Sequence, residues 1–340
     1  MDFQLLGRSG LRVSEIALGA MTFGTDAVWG APKDESRRIF DAYVDAGGNF
    51  IDTADGYMNG NSERMVGEFV SGRRERFVIA TKYTFSKRPG DPNSGGNHRK
   101  NMVQALEGSL QRLGLDYVDL YWVHAWDRLT PPEETMRGLD DLVRAGKILY
   151  VGISDAPAWI VSYSNAIAQL RGWSQFAGLQ IEYSLIERTA ERDLIPMANE
   201  LGITVTAWSP LASGLLSGKY ARHTKPVEGR VAQFQYTELS DRNFDIVDAV
   251  QAVAAELGRT PAQVALSWVR RKGAIPIVGA RTLVQLQDNL ASLEVSLGAD
   301  HLARLDAVSA ISLGFPHDFL RTKFVNEMLH AGTFDRIRRG

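Results

Sequence analysis

The chain of 340 residues contains no cysteine. That excludes disulfides, thiolate metal sites and cysteine nucleophiles, and it fits a reducing setting, so a cytoplasmic location is expected. No apolar run approaches the roughly 18 residues that a helical membrane span needs. The N-terminus has no basic segment followed by an apolar run, so no signal peptide is expected. Net charge is close to nil, with 38 Lys and Arg against 40 Asp and Glu. Neither nucleic acid nor an anionic membrane is therefore an expected partner. The six histidines are scattered, and no pair has metal-ligand spacing on a helix. A Gly-x-Gly-x-x-Gly fingerprint is missing too, as is any linker or low-complexity block. One domain over residues 1–340 is expected.

What is present is alternation. Residues 3–16 read as a hairpin joined at Arg8-Ser9-Gly10, and residues 16–19 as a first buried strand. Strands are then expected at 49–51, 77–80, 117–123, 148–153, 178–181, 203–207 and 275–278. Helical spacing falls at 34–46, 62–70, 101–113, 132–144, 157–170, 194–201, 244–257, 261–271 and 283–293. Ser62 is a candidate cap. Eight strands, each followed by helical sequence, give the cadence of an α/β fold of the (β/α)8 TIM-barrel type. A doubly wound sheet also alternates, but it rarely needs eight units and normally opens with a Gly-rich turn. Two parts stand outside the repeat: a long polar loop at 209–242 and a C-terminal extension at 300–340, with a helix and then a polar, aromatic-bearing end.

In a barrel the strand tips converge on one face. Strand two ends at Asp52 with Tyr57 five residues on, strand three at Lys82, and strand four at His124. A phenol with its ordinary pKa near ~10 is a poor acid at neutral pH. A neighbouring ammonium favours the phenolate and lowers that pKa. Lys82 can supply the ammonium, Asp52 can hold it, and His124 can relay the proton or orient a carbonyl oxygen. The matching chemistry is hydride transfer to a carbonyl or its reverse, with the hydride drawn from a cofactor.

The stretches 48–54 with Gly56-Tyr57, Ala80-Thr81-Lys82, 113–120 with His124, Gly152-Ile153-Ser154, Gln180 and Trp208-Ser209-Pro210-Leu211 together resemble the aldo-keto reductase superfamily. The look is closest to its aryl-alcohol-dehydrogenase-like members and to relatives of potassium-channel β subunits. The resemblance implies a barrel whose base is plugged by the 3–16 hairpin. Tyr57 would be the general acid, Lys82 and Asp52 its tuning partners, and His124 the carbonyl-orienting residue. It implies NADP(H) as cofactor and a small carbonyl or alcohol substrate. Ser154 and Gln180 would hold the nicotinamide carboxamide, with Trp208 stacked on the ring and Ala20, Met21 and Asp52 nearby. Ser209, Leu211, Ser213 and Lys219 would meet the pyrophosphate. Gly279, Arg281, Gln285, Asp288 and Asn289 would meet the adenosine end, with Arg281 placed for a 2′-phosphate. Arg230 is a further candidate contact. Where many relatives carry Asn, this chain carries Asp155, which cannot donate an amide hydrogen bond and is left out of the set. Trp126, Trp29 and Tyr83 are candidate walls of an aromatic substrate pocket.

Two other functions fit the same residues. One is a Schiff-base lyase with Lys82 as nucleophile, which Asp52 would oppose. The other is a nicotinamide-binding regulatory subunit with little turnover.

Overall fold

A computed structural model describes residues 1–220, 222 and 238–337. The chain opens with an antiparallel hairpin, β1 (Phe3–Leu5) and β2 (Arg12–Ser14), in register Phe3 to Ser14. The repeat follows: β3 (Ala17–Gly19), α1 (Lys33–Asp45), β4 (Phe50–Asp52), α2 (Asn61–Val70), β5 (Val78–Tyr83), α3 (Arg99–Leu113) and β6 (Val118–Val123). It continues with α4 (Pro132–Arg144), β7 (Ile148–Ser154), α5 (Ala158–Arg171), β8 (Phe176–Glu182), α6 (Leu194–Leu201) and β9 (Thr204–Trp208). Then come α7 (Asp241–Leu257), α8 (Pro261–Arg271), β10 (Ile275–Val278) and α9 (Leu283–Leu290). The parallel strands β3 to β10 close into a barrel, β10 pairing back to β3. This is the expected (β/α)8 architecture.

Side-chain alternation decides what fills the barrel. Phe50, Val78, Ala80, Leu120, Trp122 and Ile275 point inward, and Leu6 and Val13 of the hairpin close the base beneath them. Trp122 lies flat across the interior only because β7 and β8 carry glycines opposite it. A Cβ at Gly152 would sit 2.3 Å from the indole, and one at Gly178 2.6 Å from it. The alternate residues, such as Ile51 and Ile79, face outward into the main core beneath the helices.

Several ends were set by local chemistry. α3 stops at Gly114, whose φ of 63° suits glycine. α8 begins with Thr260 and Gln263 in a reciprocal capping box and Pro261 in the first turn. Ser62 does not cap α2. The cap position is Gly60, and the Ser62 hydroxyl is buried, donating to the Ala20 carbonyl at 2.7 Å and lying 2.7 Å from Thr53 Oγ1. α7 starts at Asp241, earlier than the apolar spacing indicates, because Ser240 accepts from the Asn243 N–H. Of the 209–242 segment, a short helical turn at Ala212–Ser217 is described; Arg230 lies outside the described residues. The C-terminal extension holds α10 (Ala299–Val308), α11 (His317–Leu320) and α12 (Lys323–His330), more helix than the polar sequence suggested. Among the described residues no helix is long and apolar enough to cross a membrane.

Candidate active site

The strand alternation that points Phe50 and Ala80 into the barrel also points Asp52 and Lys82, two residues further along, into its mouth. Lys82 is fully buried. Its ammonium has three donors, and all are engaged: one on Asp52 Oδ2, one on the Thr53 carbonyl at 2.9 Å, and one on Tyr57 Oη at 3.1 Å. The same ammonium lies 4.7 Å from the Tyr57 ring centroid. Asp52 Oδ1 accepts from Gln180 Nε2 at 3.1 Å. Tyr57 is turned toward Lys82 by a tight reversal after β4, in which Met58, Asn59 and Gly60 all have positive φ. Two of those three are not glycine, an unfavourable backbone held in place by its surroundings.

His124 follows β6, its N–H bound to the Tyr83 carbonyl at 3.1 Å. Its ring meets Tyr57 edge-on at 5.8 Å and Phe85 at 4.5 Å. Nδ1 is buried without a hydrogen-bond partner. Burial, reinforced by the Lys82 charge, holds His124 well below the ordinary imidazole range, so the ring is neutral at pH 7. Burial opposes the Lys82 ammonium, yet Asp52 and then Tyr57 outweigh it and raise its pKa. Tyr57 departs from expectation. Burial raises its phenol, Lys82 pulls it down, Asp52 adds to the rise, and the net shift is upward. The phenol therefore keeps its proton at neutral pH.

Asp52, Tyr57 and His124 border a cavity of about 940 Å³ at the C-terminal ends of the strands, while Lys82 is buried outside its lining. Its lining includes Met21, Asp52, Tyr57, His124, Ser154, Gln180, Trp208, Ser209 and Gly279, so the structure gathers most of the inner candidates. Ser154 Oγ is buried and leans toward the Asp155 carboxylate without forming a satisfactory hydrogen bond. The remaining candidates lie off this cavity. Ala20 is buried behind it, and its carbonyl takes the Ser62 hydroxyl. Leu211 and Ser213 are half-buried and Lys219 is exposed, in a run where Ser209, Ala212, Ser213, Gly214 and Gly218 have positive φ. Arg281 is exposed and donates to the Val28 carbonyl at 3.3 Å, while Gln285 accepts from the Arg281 N–H at 2.8 Å. Asp288 accepts from Thr260 at 2.9 Å and Gln263 at 2.7 Å, and Asn289 is buried.

The aromatic wall differs from expectation. Tyr83 is fully buried and stacks on Tyr121 at 5.1 Å. Trp126 packs edge-on against Trp159 at 5.5 Å, and neither it nor Trp29 borders the cavity. Phe85 does, with Asp55, Lys87, Arg112 and Asp155. Sequence reasoning missed Phe85, Lys87 and Arg112, which sit in a loop or on a helix whose approach to the mouth no spacing encodes. It also missed Asp55, three residues past Asp52, and it named Asp155 only to leave it out of the cofactor set. Among the described residues no cluster of three or more histidine or carboxylate side chains is placed to hold a metal ion.

A parallel barrel with a protonated phenol, a buried ammonium–carboxylate pair and a neutral imidazole at its mouth defines a class of oxidoreductase. The chain belongs to the aldo/keto reductase family, whose sequence model matches residues 15–310. It is 35% identical to an NADP(+) aryl-alcohol dehydrogenase of Phanerodontia chrysosporium, covering 98% of this chain and 92% of that protein. It is 36% identical to a norsolorinic acid reductase of Emericella nidulans, over 92% of this chain and 82% of that protein. An aryl-alcohol dehydrogenase of Pestalotiopsis microspora is also 36% identical, over 93% and 86% of the two chains.

Proposed function

We propose that this protein is an NADP(H)-dependent oxidoreductase that interconverts aldehydes or ketones and alcohols, with the whole chain acting as one domain. The observation that carries the reading is the hydrogen bond from Lys82 to Tyr57 beside the Asp52 carboxylate. Protein and cofactor are complementary in chemistry: Ser154 Oγ is a buried hydroxyl short of a partner, Gln180 and Trp208 line the same wall, and the cavity is of ligand size. Ser154 and Gln180 would hold a carboxamide, Trp208 would cover a ring face, and Ser209, Leu211, Ser213 and Lys219 would face a pyrophosphate. Gly279, Arg281, Gln285, Asp288 and Asn289 would meet the adenosine end. When bound, NADPH supplies a hydride, which adds to the carbonyl carbon as the cofactor is oxidised.

Tyr57 gives its hydroxyl proton to the carbonyl oxygen, so that the C=O becomes a CH–OH. Lys82 stabilises the phenolate left behind, and Asp52 keeps Lys82 charged. His124, neutral, aims the carbonyl at Tyr57. Phe85, whose ring lies tilted against His124 at 4.5 Å, favours aromatic substrates, which agrees with the names of the aryl-alcohol dehydrogenase relatives. Arg281 favours NADP over NAD. The Schiff-base alternative is disfavoured, because a nucleophilic lysine must be neutral and the partners of Lys82 raise its pKa. Steady-state turnover of a panel of aromatic and aliphatic carbonyls, run with NADPH and with NADH, tests the proposal. Cofactor binding without turnover on any of them would favour a regulatory subunit instead.

A further inference from the structure

The charged groups around the cavity cancel in pairs, with one exception. Asp52 is paired with Lys82, Asp55 with Lys87, and Arg112 with Glu63. Among the described residues, Asp155 is the one lining carboxylate with no ion pair. Its partner is the neutral indole of Trp208, whose Nε1–H donates to Oδ1 at 3.0 Å. The backbone holds it there. Asp155 has a φ of 44°, its N–H binds the Gln180 carbonyl at 3.3 Å, and its carbonyl accepts from the Trp126 N–H at 3.3 Å. Its field reaches the Tyr57 phenol, which it helps to keep protonated. Glu182, one strand over, does not line the cavity, and burial with Glu187 and Asp155 nearby pushes it up to about 7.

We propose that Asp155 is an electrostatic positioning residue: its unpaired carboxylate, fixed against Trp208, biases the site toward the oxidised, cationic nicotinamide. This rests on the reading of the cavity as a nicotinamide site. The physical reason is charge. A nicotinamide ring is neutral when reduced and cationic when oxidised, so a fixed negative charge on the wall around it stabilises one form and is indifferent to the other. The same charge stabilises the positive charge that develops as hydride leaves. Asparagine in this position would keep the shape and an acceptor for the indole but supply no charge. Aspartate rather than asparagine at residue 155 thereby shifts the redox balance, whereas the carboxamide contacts remain with Ser154 and Gln180.

The test measures dissociation constants for NADP+ and for NADPH by quenching of tryptophan fluorescence, in wild type, Asp155→Asn and Trp208→Phe. Asn tolerates left-handed backbone, and Asp155→Gly provides the same comparison should the Asn variant fold poorly. In Asp155→Asn the ratio Kd(NADP+)/Kd(NADPH) should rise about fivefold, the size of effect one charge exerts across a half-hydrated cavity. That corresponds to a rise of about 20 mV in the potential of the bound couple. Trp208→Phe, which keeps the charge but removes its anchor, should weaken both forms and shift the ratio less than Asp155→Asn does. An unchanged ratio in the Asp155 variants, or an equal change in Trp208→Phe, overturns the inference while leaving the cofactor assignment intact. A wild-type protein that binds neither form overturns both.

Discussion

Gln180 on β8 donates its side-chain amide to Asp52 on β4, at 3.1 Å, across the mouth of the barrel. With Lys82 on the other oxygen, both sides of the Asp52 carboxylate are engaged. The carboxylate is thus the joint between the Lys82–Tyr57 pair and the wall that carries Ser154 and Trp208. Disturbing it should be felt in both stability and chemistry.

Asp52→Asn leaves the fully buried Lys82 ammonium without its counter-charge. An unpaired buried charge costs about 3–5 kcal/mol, a large fraction of a typical domain's stability. The urea midpoint should fall accordingly. The double variant Asp52→Asn with Lys82→Met should lose less than the single one, since it removes the stranded charge. A double variant as unstable as the sum of its parts would show that the pair is not coupled.

Lys82 also sets an alkaline limit. Its folded pKa lies above the ordinary 10.5 of the unfolded chain. The stabilising contribution is therefore complete below pH 10.5 and declines as pH rises through the folded value. Unfolding free energy measured from pH 7 to 12 should show no loss from this group until about pH 10.5. In Lys82→Met that portion of the alkaline decline should be absent. An equal decline in both proteins would contradict the assignment.

His124 should not titrate in the neutral range. Its pKa is held well below the usual 6.5, so the imidazole stays neutral as pH falls through that value. The pH profile of kcat/KM for carbonyl reduction should be flat across pH 6 to 7.5, with no limb near 6.5 removed by His124→Asn. The same variant should reduce kcat/KM roughly tenfold to a hundredfold, since an orienting donor is lost.

Arg281→Ala should weaken NADP(H) roughly tenfold or more and NAD(H) little, because a guanidinium–phosphate contact is lost only where the 2′-phosphate exists. Direct binding titrations of both cofactors measure this. Equal losses would remove Arg281 from the 2′-phosphate role.

The barrel was legible because its signal is repetitive. Eight short apolar runs, each followed by helical spacing, leave few alternatives, and α4, α6, α8 and β10 begin and end where the spacing places them. Asp52, Lys82 and His124 were legible for a related reason: a strand tip is a position that sequence can locate. The cavity wall was not. Phe85 reaches His124 from a loop, and Tyr83, two residues earlier, turns instead to the outer face because strand alternation still governs it. Ser62 carried a capping signal but spends its hydroxyl on Ala20 and Thr53, a tertiary contact between distant segments. Lys82 pulls the Tyr57 phenol down as expected, but the net rise was not legible, since the weight of burial against the Lys82 charge depends on packing that no local pattern reports.

The central claim is that Tyr57 delivers the proton. Single-turnover reduction of an aromatic aldehyde by the NADPH complex, followed by NADPH absorbance, should be slowed on the order of a hundredfold to ten-thousandfold in Tyr57→Phe, with NADPH affinity within about twofold of wild type. A Tyr57→Phe protein that reduces the aldehyde at the wild-type rate would contradict the account.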